Sequence, residues 1–147
     1  MNDMKKLNAC LGGTFEVLHE GHKKLIETAF ALADNITIGL TTDEFASERK
    51  GRKVKPFHER IKQLENFLQS HGWSAEIVPL EDEAGPALRL DMDAIVVSEE
   101  TREAAERINK KRREMGLQPL IIVVIPMVVD KRGRKISSRF LSSIDEK

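Results

Sequence analysis

Short apolar runs and amphipathic segments take turns along this chain, and that alternation leaves few folds open to it. Leu7–Leu11, Ile36–Leu40, Ala75–Leu80, Ala94–Val97 and Leu120–Ile125 read as five strands. Ala94–Val97 is apolar throughout, the pattern of a strand covered on both faces. Between the strands, Gly21–Ala33 carries Leu25, Ile26, Ala29, Phe30, Leu32 and Ala33 at helical spacing. A second helix is expected from about Pro56 to Ser70, with Ile61, Leu64, Phe67 and Leu68 on one face and Gly72 as its stop. A third runs from Thr101 to Met115 and ends at Gly116. Strands that alternate with helices pair in parallel through right-handed crossovers and bind ligands at their carboxyl ends. The fold class is therefore α/β, a doubly wound five-stranded parallel sheet. No repeat or linker divides the chain, so residues 1–147 are expected to form one domain.

The first strand empties into Gly12-Gly13-Thr14-Phe15, and a helix led by Glu20-Gly21-His22 follows. Adjacent glycines let the backbone turn tightly and approach a ligand closely. Thr14 adds a hydroxyl donor, and the first turn of the helix points free amides and a positive dipole end the same way. His19 and His22 supply two more donors, whose rings can carry partial positive charge near neutral pH. This passage suits nucleotide phosphates and contains no nucleophile. A zinc pair is the competing reading of His19-x-x-His22, but His58, His71 and Cys10 lie at unhelpful spacings, and no metal ligand from the protein is expected. The chain contains neither G-x-G-x-x-G nor G-x-x-x-x-G-K-[ST], which removes the main support for dehydrogenase and P-loop chemistry.

Two further segments carry chemistry. Thr41 closes the second strand, and Arg49-Lys50-Gly51-Arg52-Lys53-Val54-Lys55 places five cations in seven residues soon after it. Such a run reads either as a solvated loop or as a mobile cationic loop that neutralises an anionic substrate. Val96-Val97-Ser98-Glu99-Glu100-Thr101 sits at the end of the fourth strand, where Ser98, Glu99 and Thr101 either contact a ribose or base or simply cap the next helix. The basic stretch Lys110-Lys111-Arg112-Arg113 lies among Glu103, Glu106 and Glu114 and reads as a solvated helix face, not a nucleic-acid site.

The run Gly13-Thr14-Phe15-Glu16-Val17-Leu18-His19-Glu20-Gly21-His22 resembles the G-T-F-D-x-x-H-x-G-H signature of the nucleotidylyltransferases, with Glu16 where the family usually shows Asp. Lys135-Ile136-Ser137-Ser138-Arg139 is similar to the family's late I-S-S segment, shortened, with Arg139 in place of a third hydroxyl residue. The string Val96–Thr101, followed by Arg107-Ile108-Asn109, resembles the archaeal and eukaryotic form of the phosphopantetheine adenylyltransferases. The resemblance implies a Rossmann-like fold of the HIGH type and transfer of AMP from ATP to 4′-phosphopantetheine, with Mg²⁺ carried on the ATP. It implies His22, His19 and Lys50 as catalytic residues. Nucleotide contacts fall to Gly12, Gly13, Thr14, Phe15, His19, His22, Ser98, Glu99, Thr101, Ser137 and Ser138. Acceptor contacts fall to Thr41, Lys50, Lys53 and Lys55, with Lys50 placed first. Sibling transferases using FMN with ATP or glycerol phosphate with CTP, and a non-catalytic nucleotide sensor, are the alternatives.

Charge and cysteine usage set outer bounds. The 24 Lys and Arg balance the 24 Asp and Glu, and the pI is near 6.9, which argues against a general polyanion binder. Cys10 is the single cysteine and falls within the first strand, so structural disulfides are excluded and a reducing cytoplasm is expected. No secretory leader pattern opens the chain, and Leu120–Val129 is too short and too interrupted by Pro126 to span a bilayer. A soluble protein is expected, with no nucleic acid or membrane partner and a monomer slightly favoured.

Overall fold

The computed structural model describes residues 6–126. Five strands, β1 (Asn8–Gly13), β2 (Asn35–Thr41), β3 (Glu76–Leu80), β4 (Ala94–Val97) and β5 (Ile121–Val124), form one sheet in the order β3-β2-β1-β4-β5. Every pairing is parallel. Four helices connect them: α1 (Glu20–Leu32), α2 (Asp43–Lys50), α3 (Phe57–Ser70) and α4 (Arg102–Glu114). This is the doubly wound arrangement the alternation predicts, and its strand order reverses direction between β1 and β4.

Strand periodicity divides the core between the two faces. Ala9 and Leu11 of β1, Ile36, Ile38 and Leu40 of β2, and Ala94 and Val96 of β4 pack with Leu25, Ile26 and Ala29 of α1 and Leu64 and Leu68 of α3. Cys10, Ile95 and Val97 point the other way, against Ala105 and Ile108 of α4, Ala87, Met92 and Leu120. All four residues of β4 are buried, in line with its unbroken apolar run. β3 is an edge strand, which is why Pro79 is tolerated there.

The helix α2 has no counterpart in the periodicity reading, because only Ala46 of its eight residues is buried. Local chemistry forms it instead. The Thr42 hydroxyl accepts the Phe45 amide at 3.2 Å, Asp43 and Glu44 occupy the first turn, and Arg49 and Lys50 occupy the last. Gly51 then closes it at φ 69°. The supposed cationic loop thus begins inside a helix, with Arg49 and Lys50 in the last turn of α2 and only residues 51–56 between α2 and α3.

Two arginines are buried to 1% exposure, and neither is a surface cation. Arg112 donates to the carbonyls of Gln118, Ala87, Arg89 and Met92, gathering the turns under α4. The stretch 110–113 is therefore not a uniform solvated face: Lys110, Lys111 and Arg113 are exposed, and Arg112 is a structural tie. Arg60 plays the same part near the carboxyl ends of the strands. No helix among the described residues is long and apolar enough to cross a membrane.

Candidate active site

A cleft of about 540 Å³ opens at the carboxyl ends of the strands, where the strand order reverses. Gly12, Gly13 and Thr14 from β1 and the turn after it form one wall, and His19, Gly21 and His22 of the α1 entry form the next. Val97, Ser98, Glu99 and Thr101 face them from the end of β4. Arg49, Lys50 and Arg52 close the side toward α2.

The glycines serve the protein's own packing. Neither has positive φ. A Cβ on Gly12 would lie 3.1 Å from Cδ2 of Leu80, and one on Gly13 would lie 3.2 Å from the ring of Phe15. The left-handed turn falls instead on Phe15, at φ 48° with its side chain 1% exposed. An aromatic residue takes that conformation only under compulsion from its surroundings, at a cost of about 1–3 kcal/mol. Its ring meets His22 edge-on at 4.9 Å. Phe15 is thus a support beneath the histidines and not a wall of the cleft.

His19 caps α1. Its Nδ1 accepts the amides of Gly21 at 3.0 Å and His22 at 3.3 Å, so the expected open amides of the first turn are already partly taken. Because Nδ1 is an acceptor, the proton of neutral His19 sits on Nε2. His22 is held in the opposite sense: its Nδ1 donates to the Val17 carbonyl at 2.8 Å, leaving Nε2 without a proton when the ring is neutral. The rings stack with centroids 3.8 Å apart. Burial, then the neighbouring His19, and finally the charge of Lys50 push His22 down to about 3, although the Val17 carbonyl acts in the other direction. Burial also lowers His19, against the upward pull of Glu100 and Glu20. Both rings are therefore neutral in the free cleft at pH 7, contrary to the partial charge expected of them.

Several expected contacts move. Thr41 is 1% exposed behind the cleft wall, where its hydroxyl donates to Thr14 Oγ1 at 3.0 Å; it positions Thr14 and is not itself on the surface. Lys53 and Lys55 are exposed outside the cleft, while the Lys53 carbonyl accepts from Arg52 and the Lys55 amide donates to Glu16. Lys50 does line the cleft. The Ser98 amide donates to Thr101 Oγ1 at 3.1 Å and the Thr101 amide to the Ser98 carbonyl, so this pair forms a local cap and also faces the cleft. Ser137, Ser138 and the whole segment Lys135–Arg139 lie outside the described residues.

Sequence reasoning missed Arg60. Its guanidinium donates to the carbonyls of Lys55, Thr14 and Thr41 and to Asp43 Oδ1, at 2.6 to 3.1 Å, joining the turn after β1, the end of β2 and the start of α2. The available signal was its place in the buried stripe Arg60, Leu64, Leu68 of α3. Arg49 was hidden inside the cationic run; it lines the cleft from the last turn of α2.

Fold and cleft together define a doubly wound α/β protein whose cleft, at the reversal of strand order, is walled by glycines and paired imidazoles. The model of the cytidylyltransferase-like family matches residues 10–141, and the chain belongs to that family. Within it the relatives are specific. A Methanopyrus kandleri protein named phosphopantetheine adenylyltransferase is 50% identical over 140 residues, covering 92% of this chain and 89% of its own. One of the same name from Pyrobaculum aerophilum is 41% identical, covering 95% and 92%. A crystal structure of an Archaeoglobus fulgidus protein described as of unknown function superposes with a TM-score of 0.77 at 38% identity, covering 89% of this chain and all of that one.

Proposed function

We propose that this cleft transfers AMP from ATP to the 4′-phosphate of phosphopantetheine, giving dephospho-coenzyme A and pyrophosphate. The observation that carries it is the meeting of Thr14, His19 and His22 with Lys50 in one cleft at the β1/β4 reversal, in a chain whose relatives bear that enzyme's name.

An oxygen of the acceptor phosphate attacks the α-phosphorus, the bond from that phosphorus to the β-bridging oxygen breaks, and pyrophosphate leaves with the electron pair. A phosphate monoester is largely dianionic at pH 7, with its second pKa at about 6, so no general base is required. The protein's task is to align two anions and disperse their charge. Neutral His19 donates through Nε2 at once; His22 donates after taking up a proton as the triphosphate binds. Thr14, steadied by Thr41, adds a hydroxyl to the triphosphate, and Lys50 meets the acceptor phosphate. Ser137 and Ser138 take the distal phosphates. Mg²⁺ would enter on the nucleotide substrate and share the charge of the triphosphate there. A reducing cytoplasm suits the buried thiol of Cys10, which burial pushes up to about 12.

Pyrophosphate release by the purified protein tests this. With Mg²⁺ and ATP, phosphopantetheine should support release while FMN, or glycerol phosphate with CTP, should not. Release with another pair would keep the chemistry and overturn the acceptor; silence throughout would favour a nucleotide sensor. Lys50→Ala should raise the KM for the acceptor far more than that for ATP.

A further inference from the structure

We infer that Glu16 and Arg52 form a positioning pair for the acceptor side of the cleft, in which the carboxylate holds the 51–56 connection in place and keeps Arg52 from binding substrate. The inference rests on the adenylyl-transfer reading for its kinetic consequence, though not for its geometry.

Glu16 is 5% exposed and follows directly on the left-handed Phe15. Three donors from a connection more than thirty residues away converge on it. Arg52 Nη2 reaches Oε1 at 2.7 Å, Arg52 Nη1 reaches Oε2 at 3.2 Å, and the Lys55 amide reaches Oε2 at 2.9 Å. This is the two-pronged guanidinium–carboxylate fork, which fixes orientation as well as distance. Arg52 Nη1 also donates to the Lys53 carbonyl at 3.1 Å, so the arginine braces its own connection. Val54 is buried between these anchors, at 6% exposure. Lys50 stands two residues before Arg52, at the end of α2, so its place on the cleft wall depends on where the connection is held.

Arg52 lines the cleft and is the obvious cation to assign to a phosphate. Its fork is already filled by a carboxylate, which cancels its charge toward an incoming dianion. The same geometry accounts for glutamate at position 16. Aspartate would withdraw the carboxylate by about one carbon–carbon bond, roughly 1.5 Å, and would not span both Arg52 and the Lys55 amide.

The test compares wild type, Glu16→Gln, Arg52→Met and the double variant, with folding checked by circular dichroism. Each single change should raise the acceptor KM about tenfold, leave the ATP dissociation constant within about twofold, and combine non-additively, because either one removes the same fork. An acceptor KM that falls in Glu16→Gln would show that the freed Arg52 binds substrate. A loss in Arg52→Met ten times that in Glu16→Gln would show the same, and either result overturns the pair. Tryptic cleavage within residues 49–55 gives a readout that needs no substrate. Cleavage after Arg49, Lys50 and Lys53, the sites that both single variants keep, should quicken in each, and unchanged cleavage there would mean that the fork does not hold the connection. If wild type is silent with phosphopantetheine, the functional reading fails while the cleavage result still decides the pair.

Discussion

His19 and His22 stack at 3.8 Å with their protons locked on opposite nitrogens, because one Nδ1 caps a helix and the other donates to a carbonyl. Through its remaining nitrogen one ring is a donor as it stands; the other becomes one there only by taking up a proton. On the proposed function, binding of the triphosphate is expected to be coupled to proton uptake. Calorimetric titration with ATP in buffers of different ionisation enthalpy should report uptake of up to about one proton at pH 7, abolished by His22→Gln. Pyrophosphate release should fall about 10²- to 10³-fold in His22→Ala, the usual cost of losing one donor to developing charge, with ATP binding largely kept.

The depressed His22 also has a stability consequence in the free protein. Its folded pKa, about 3, lies below the unfolded value near 6.5, so the fold favours the neutral ring. The stability this represents is present above pH 6.5 and is lost as pH falls toward 3. Urea denaturation followed by the fluorescence of Trp73, the single tryptophan, should show a steeper fall over that window in wild type than in His22→Gln. The difference should reach at most about 1.4 kcal/mol per pH unit, the slope for one proton bound only by the unfolded chain. Equal slopes would mean that the ring is not held neutral.

Gly12 and Leu80 should behave as one packing unit. A methyl on Gly12 meets Leu80 Cδ2 at 3.1 Å, and Gly39 lies equally close to the same side chain. Gly12→Ala should destabilise by about 1–3 kcal/mol through overpacking. In Gly12→Ala/Leu80→Ala the two costs should sum to less than the separate effects, a coupling that denaturation midpoints will read. Strict additivity would assign the glycine to ligand approach instead.

Arg60→Met should be among the costliest single changes in the protein. It strips donors from the carbonyls of Thr14, Thr41 and Lys55 at once, and a loss of about 3 kcal/mol or more is expected. Arg60→Lys restores a charge but not the fork and should recover only part. A change under about 0.5 kcal/mol in Arg60→Met would remove Arg60 from the framework of the site.

How much of this was legible depended on which force forms each element. The five strands and α1, α3 and α4 were readable because burial imprints a period on the residues that make it: Ile36, Ile38 and Leu40 alternate, and Leu25, Ile26 and Ala29 recur at a helix turn. α2 was not, since capping and end charges form it and it buries a single alanine, although Thr42, Asp43, Lys50 and Gly51 carry the signals of both ends.

The local sequence by itself determined the parallel α/β sheet, the end of it at which the cleft opens, and the glycine–histidine turn, because short-range periodicity and motif spacing encode these directly. Tertiary structure alone decided what each polar residue does there. Hydrogen-bond partners come from segments distant in sequence, so only the folded chain could place Thr41 behind Thr14, turn Arg60 into a brace, give Glu16 to Arg52, and set the protons of His19 and His22.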